Sequence, residues 1–558
     1  MRQFGFRGLE FHSSRMWQFA QVERALEVMA ATGLNALIFH QNDLIDWLVL
    51  PSRYFSDDLM WKRWPVRLHR VMNNRQYIRS VVRAAQARGI AFYPEVKELW
   101  FTEELLEVKP ELRNPDGTLC PHNPFWWELL ETKVDELLEA IPDIGGIIVS
   151  PGTRESKVSV STSTCGCPRC ARASPLDWYT ALLDAMYRPL AARGKTLAVR
   201  DFSYTADHQS LIIEAAVRCS PDVVISLKNT PHDYYPTFPT NPRIGHCGPL
   251  RQWAEFDTWG QFFGLGFFPV GVAEDMQARM RECHAKGVTG IALRTDWEGL
   301  TEASAFNSFN LLNVFAGGLL SGNVDADLRE AYRAWAEHGL LSPLKPGSCL
   351  EAPVRPQAPD AVDRLRAFMQ ASWAVVEKAL FVRGHLFHED DMFPETVKKA
   401  FAMMVEIHGR DEWEPGASRR LEPTEENLRA IFAEKEAAEK EVAALRGILR
   451  PDALGLPPEF VREIDTILEL YALYVRGFTR CAEVCFRTRK ASQSGEARDV
   501  AAAQDSVGNL RAYRDEVANR LRGTRYPHYV YWLLDVERLD ALAADARAIL
   551  AQADRQGR

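Results

Sequence analysis

Over roughly the first 320 residues, short apolar runs alternate with amphipathic segments of helical period, a pattern that demands parallel strands joined by crossover helices. The runs are RGLEFH (7–12), ALIFH (36–40), AFYPEV (91–96), GGIIVS (145–150), TLAVRDF (196–202), DVVISLK (222–228), NPRIGH (241–246) and GIALRT (290–295). Eight such runs are the number that closes a (β/α)8 barrel. Between them, 22–33, 77–89 and 177–194 have helical spacing and end on glycine, the residue that most readily takes the left-handed cap position. Segment 273–287 leads into the eighth run, and a helix over 302–320 completes the barrel.

Five prolines between 341 and 360 mark a break. Beyond them apolar residues recur at helical spacing over 360–383, 395–408, 424–449, 458–490, 497–522 and 528–555. The expected organisation is a TIM barrel over 1–322, a proline-rich connector over 323–360 and an all-α C-terminal domain over 361–558. A net charge of −8 gives no electrostatic case for nucleic acid or an anionic membrane. No run of 18 apolar residues exists, and the N-terminus lacks a basic segment followed by an apolar stretch. Ten cysteines without a leader read as reduced thiols or metal ligands, so a cytoplasmic protein is expected.

Barrel enzymes carry their chemistry at the C-terminal ends of the strands. Those positions hold Glu10, His12, His40, Glu95, Lys97, Glu98, Arg154, Glu155, Arg200, Asp201, Lys228, Asn229, Asp233, Glu255, Asp257, Arg294, Asp296, Trp297 and Glu298. Carboxylates interleaved with aromatics fit a sugar site: one carboxylic acid protonates the leaving oxygen while another carboxylate activates water or attacks. Trp17, Trp253, Trp259 and Trp297 are candidate stacking platforms; His12, His40, Asn229 and Asp296 are candidate substrate contacts. Each residue also has a plainer explanation. Polar strand ends cap barrels, tryptophans fill cores, and Lys97 and Glu98 can be a solvated loop. Two other readings use the same residues: a metal-dependent sugar isomerase or aldolase built on His12, His40, Glu95 and Asp296, and a non-catalytic glycan- or protein-binding barrel.

Cys165, Cys167 and Cys170 form a C-x-C-x2-C cluster, one ligand short of a structural zinc site, with Cys120 or His122 as the fourth donor. Catalysis by carboxylates needs no cofactor.

Four segments carry a resemblance: 224–245 (VISLKNTPHDYYPTFPTNPRIG), 252–264 (QWAEFDTWGQFFG), 197–204 (LAVRDFSY) and 295–320 (TDWEGLTEASAFNSFNLLNVFAGGLL). Together they resemble the xylan α-glucuronidase family of glycoside hydrolases over roughly 145–320. The resemblance implies an inverting hydrolase of acidic, uronic-acid-containing oligosaccharides involved in polysaccharide degradation, and a homodimer. It casts Asp233 and Glu255 as the pair that activates water, Glu155 as the general acid, Arg200 and Lys228 as ligands of the sugar carboxylate, and Trp297 as a site aromatic. The lysine that the family places before the acid is replaced by Ser150 or Pro151.

Overall fold

The computed structural model describes residues 3–153, 155–203 and 205–556. Seven of the eight predicted runs are strands: β1 (Phe6–Phe11), β2 (Ala36–His40), β3 (Ala91–Lys97), β4 (Gly146–Ser150), β5 (Thr196–Arg200), β6 (Val224–Lys228) and β8 (Gly290–Arg294). The remaining strand, β7, is Arg251–Asp257 rather than 241–246. All neighbours pair in parallel, and β1 pairs with both β2 and β8, so the barrel closes. The reason for the displaced strand is chemical. Segment 241–246 is a turn whose Asn241 side chain donates to the carbonyls of Lys228 and Thr230. In β7 the residues that point into the barrel are Trp253, Glu255 and Asp257, so its polar residues mask the apolar signal of a strand.

Side chains alternate between the two faces of every strand. Leu37, Phe39, Ile147, Val149, Leu197, Val199, Ile225, Leu227, Ile291 and Leu293 face the helices and are fully buried there. The inward set is layered. At the N-terminal end Phe6 stacks on Trp253 with ring centroids 3.6 Å apart, and Tyr93 meets both rings edge-on. Above this plug lie Ile38, Ile148, Ala198, Val224 and Ala292. Two residues further along each strand the inward positions turn polar: Glu10, His40, Glu95, Ser150, Arg200, Ser226, Glu255 and Arg294, all buried. A barrel of this size is filled by side chains, so its floor is apolar and its upper layer is charged.

Helices Ala361–Ala379, Glu425–Leu449, Pro458–Ser494, Ala497–Leu521 and Val536–Gln556 build the C-terminal part, and the chain over 323–360 itself contains a helix, Leu328–His338. The helix expected over 395–408 is shorter, Val397–Ala402 followed by a π-turn over Met403–Ile407; the one expected over 528–555 breaks after Leu533. The barrel helix expected over 302–320 begins only at Leu311. Among the described residues no helix is long and apolar enough to cross a membrane. The helical part packs on the loop after β7. Phe268 stacks on Tyr471 at 4.5 Å. Asp391 accepts the Gly264 and Leu265 amides, and its carbonyl accepts the Tyr474 hydroxyl at 2.6 Å. Asp390 and Asp391 both sit at positive φ (53° and 58°), which aspartate tolerates when its carboxylate is tied to nearby donors.

Candidate active site

Arg200, at the end of β5, organises the polar layer. Its Nε donates to Glu255 Oε2 at 2.6 Å, Nη1 donates to Glu95 Oε1 at 2.6 Å and Glu10 Oε1 at 3.1 Å, and Nη2 donates to the Tyr234 hydroxyl at 2.8 Å. Glu255 has two further partners: the Tyr234 hydroxyl reaches Oε2 at 2.9 Å and Ser226 Oγ reaches Oε1 at 2.6 Å. Ser150 Oγ likewise holds Glu95 at 2.6 Å. Three carboxylates thus share one guanidinium. Burial pushes the Glu95 carboxyl up, against the pull of Arg200 and with the push of Glu10 and Glu255. For Glu10, burial is outweighed by Arg200, His12 and Arg294, and its carboxyl shifts down. Arg200 and Glu255 are each 2% exposed. The structure places this pair beneath the mouth, bonded to each other.

The mouth itself is built around Phe202. The Lys97 ammonium lies 3.5 Å from the ring centroid and the Lys228 ammonium 4.2 Å from it. Each lysine holds a carboxylate: Lys97 Nζ lies 3.2 Å from Glu155 Oε2, and Lys228 donates to Asp233 Oδ1. Glu155 keeps 44% of its side chain exposed and Asp233 22%. Burial would raise the Asp233 carboxyl, but the charge and hydrogen bond of Lys228 pull it down to about 2. Lys97 and Glu98 are not a solvated loop; both are 2% exposed. Glu98 accepts the Gly152 amide at 2.7 Å, an N–H aimed by a backbone at φ 89° that favours glycine, and its own amide donates to Ser156 Oγ at 3.1 Å. Burial pushes the Glu98 carboxyl up to about 7, against the hydroxyls of Ser159 and Ser156 and the Gly152 amide. Arg154 and Tyr204 lie outside the described residues.

Beside this pair of ion pairs opens a cleft of about 350 Å³ lined by His12, His40, Trp17, Trp47, Trp100 and Glu298. Trp17 and Trp47 stack at 5.5 Å. His12 and His40 stack at 3.7 Å, and His12 Nε2 lies 2.9 Å from Glu298 Oε2. Burial and the charges of His12, Lys97, Arg200 and Arg294 hold His40 neutral, with its pKa well below the usual imidazole range. His40 Nδ1 lies 2.9 Å from Arg200 Nη1, which can only donate, and 3.0 Å from Glu10 Oε1. Among the described residues His40 Nε2 and Arg294 Nε are buried atoms without a hydrogen-bond partner.

Several expected contacts lie elsewhere. Asp296 is 0% exposed; it accepts the His12 amide at 2.6 Å and the Ser13 hydroxyl at 2.5 Å, so it fixes the loop after β1. Trp253 is the floor plug, and Trp259 is buried in the loop after β7. Trp297 packs edge-on against Trp532 of the helical part. Asn229 lines a small space behind Tyr234 and Phe256. Trp47 and Trp100 were not among the expected platforms because nothing in a lone tryptophan's spacing marks it as cleft-lining. Asp390, from the helical part, also reaches the site: Gln261 Nε2 donates to it at 2.7 Å while Gln261 Oε1 accepts Arg294. Burial raises its carboxyl to about 7, with Glu389 and Asp233 adding to the rise against Gln261. Only the tertiary fold could reveal it.

Two groups of ligand atoms among the described residues lie within 4.8 Å of one another: Glu10, His12 and His40, and Cys120, Cys165, Cys167 and Cys170. In the first group the Arg200 guanidinium already bonds Glu10 and His40 and supplies the positive charge that a divalent ion would bring. Glu95 and Asp296, the other two ligands of the isomerase reading, are committed to Arg200 and to the β1 loop.

No family model matches the chain, and no curated protein matches it. Among solved structures it is similar to a GH138 enzyme targeting pectin rhamnogalacturonan II, with a TM-score of 0.61 at 10% identity over 93% of this chain. This chain spans 62% of that protein's length. It also matches a mutant of the Thermobaculum terrenum O-GlcNAc hydrolase (TM-score 0.44, 13% identity, 99% of this chain and 95% of that one). A third match is the Flavobacterium johnsoniae chitobiase (TM-score 0.42, 15% identity, 91% and 75%). The likeness to the GH138 enzyme establishes the fold class: a (β/α)8 barrel followed by a helical C-terminal part.

Proposed function

We propose that the chain is a glycoside hydrolase acting on acidic, uronic-acid-containing oligosaccharides, with Glu155 as general acid and Asp233 as the base that activates water. The observation that carries the reading is the pairing of two accessible carboxylates with two lysines on one aromatic ring, Glu155 with Lys97 and Asp233 with Lys228 over Phe202. Asp233, held ionised by Lys228, suits a base. A sugar seated in the adjoining cleft would meet the Trp17–Trp47 wall. The two ammonium groups at the mouth, Lys97 and Lys228, support an acidic sugar. Lys97 supplies from β3 the cation that the resembled family carries just before its acid. Glu255 in this reading positions Arg200, and through Tyr234 the segment bearing Asp233. The GH138 enzyme's action on a pectin is consistent with a uronic substrate here.

The test is hydrolysis of α- and β-linked uronic and neutral oligosaccharides, with the first-released anomer read by NMR. Release of a β-uronic acid from an α-linked substrate, lost in Glu155→Gln and Asp233→Asn, supports inversion and both roles. Turnover of neutral sugars alone removes the uronate, and no turnover on any glycoside removes the hydrolase.

A further inference from the structure

The loops after β3 and β4 meet at four cysteines drawn from two separate stretches of chain. Cys120 Sγ lies 3.5 Å from Cys167 Sγ and 3.6 Å from Cys170 Sγ; Cys167 and Cys170 are 3.7 Å apart. Cys165 completes a set whose sulfurs all fall within 4.8 Å of one another, and none is disulfide-bonded. A disulfide would bring two sulfurs to about 2.0 Å. A tetrahedral ion with metal–sulfur bonds of about 2.3 Å spaces its ligands about 3.8 Å apart, close to the separations seen.

The surroundings are those of a metal knuckle. Cys120 and Cys167 are each followed by proline, and in both turns the backbone N–H two residues on, of His122 and Arg169, is directed at the sulfur. Cys167 also receives the Cys170 amide, and Asn114 Nδ2 reaches Cys165 Sγ at 3.4 Å. Such donors offset thiolate charge around a bound cation. The carbonyls of Cys120 and Pro121 are held by the indoles of Trp126 (2.8 Å) and Trp178 (3.0 Å), so the turn bearing Cys120 is fixed to two barrel helices. His122, the other candidate donor, is not in the group.

We propose that Cys120, Cys165, Cys167 and Cys170 form a closed structural zinc site that ties the β3 loop to the β4 loop. Four thiolates leave no open position for substrate, so the ion builds structure rather than doing chemistry. Its effect travels along contacts already joining the loops. Leu99 bridges Val158, Lys157 Nζ donates to the Phe101 carbonyl at 2.9 Å, and Ser156 accepts the Glu98 amide. Those contacts flank Glu155, so the ion fixes the loop that presents it to Lys97. This last consequence rests on the glycosidase reading; the metal does not.

The experiment is metal analysis of the purified full-length chain, with Cys120→Ser, Cys170→Ser and, outside the cluster, Cys219→Ser. The expected result is about one zinc per chain in wild type and Cys219→Ser, and loss of it in the two cluster variants. Because a cluster variant can fail to fold, Co(II) is also exchanged into the wild-type chain, where the charge-transfer and d–d bands of a tetrahedral tetrathiolate are expected. Hydrogen exchange over 151–164 should rise when the ion is removed. Metal-free wild-type protein from zinc-replete cells, a disulfide among the four cysteines, or iron in place of zinc would each overturn the proposal. Unchanged exchange over 151–164 would overturn its positioning role. The metal count is independent of any glycoside assay, so its failure and that of the hydrolase reading are distinguishable.

Discussion

The Lys97 ammonium lies 3.2 Å from the Glu155 carboxylate and 3.5 Å from the centre of the Phe202 ring, so a cation from β3 serves a carboxylate on the loop after β4. If Glu155 is the acid, Glu155→Gln should lower kcat/KM by about 10²–10⁴ on substrates with poor leaving groups. The loss should shrink on activated aryl glycosides, whose leaving group needs no proton. Equal losses on both would remove Glu155 from that role. Lys97→Met should cost less, since it leaves the carboxyl in place.

Lys228 holds Asp233 ionised far below the ordinary carboxylate range. Lys228→Met removes that charge and leaves burial unopposed by its nearest cation, so the Asp233 pKa must rise. The acid limb of the kcat/KM profile should therefore move to higher pH, with activity lost at pH values where the wild type still works. An unmoved limb would show that Asp233 does not set it.

Arg200 directly bonds Glu10, Glu95 and Glu255. Arg200→Met strands three buried carboxylates and should destabilise the fold by about 3–5 kcal/mol, the range found when one partner of a buried pair is removed. Glu255→Gln keeps a hydrogen-bonding side chain and should cost less. Urea midpoints order the two variants; the reverse order would contradict the central place of Arg200.

Glu98 is a carboxyl whose folded-state pKa is raised to about 7. The folded state then binds more protons than the unfolded one between the ordinary carboxylate value and pH 7. Its contribution is fully present below the unfolded pKa and is lost as pH rises through the folded one. Stability should fall across that window, and Glu98→Gln should flatten the fall. Thermal or urea unfolding between pH 4.5 and 8 measures it.

Trp47 is part of the cleft wall, stacked on Trp17. Losing a stacking face worth about 0.5–1.5 kcal/mol in Trp47→Ala should raise KM roughly two- to tenfold, with kcat nearly unchanged. A fall in kcat at constant KM would place the sugar elsewhere.

Most of the barrel was legible because outward positions such as Leu37, Phe39, Ile147 and Val149 keep a strand-like apolar pattern. β7 was displaced because its inward residues, Glu255 and Asp257, are the polar layer itself, and chemistry there overwrites the strand signal. Among the candidate site residues, Glu155, Asp233 and Lys228 were named from strand ends and from the resemblance, and the structure sets Glu155 beside Lys97 and Asp233 beside Lys228. Sequence could not tell which polar residue faces the mouth and which is enclosed. Arg200, Glu255 and Asp296 have the same composition signature as open-site residues, and only the contacts around them show that they are already paired. Lys97 stood among the strand-end residues without a partner and Cys120 as one of two candidate fourth donors; their partners lie 58 and at least 45 positions later, so the fold alone joins Lys97 to Glu155 and chooses Cys120 over His122.

The Phe6–Trp253 stack, with Tyr93 set against it, closes the barrel from below. The polar layer is therefore closed from the N-terminal side, and a ligand approaches it from the C-terminal ends of the strands. Whatever binds deepest enters first and departs last. In a hydrolase that order is a kinetic constraint: the portion of substrate nearer solvent must diffuse away before the portion held at depth can follow, and an accumulating deep product blocks the next turnover without touching the carboxylates.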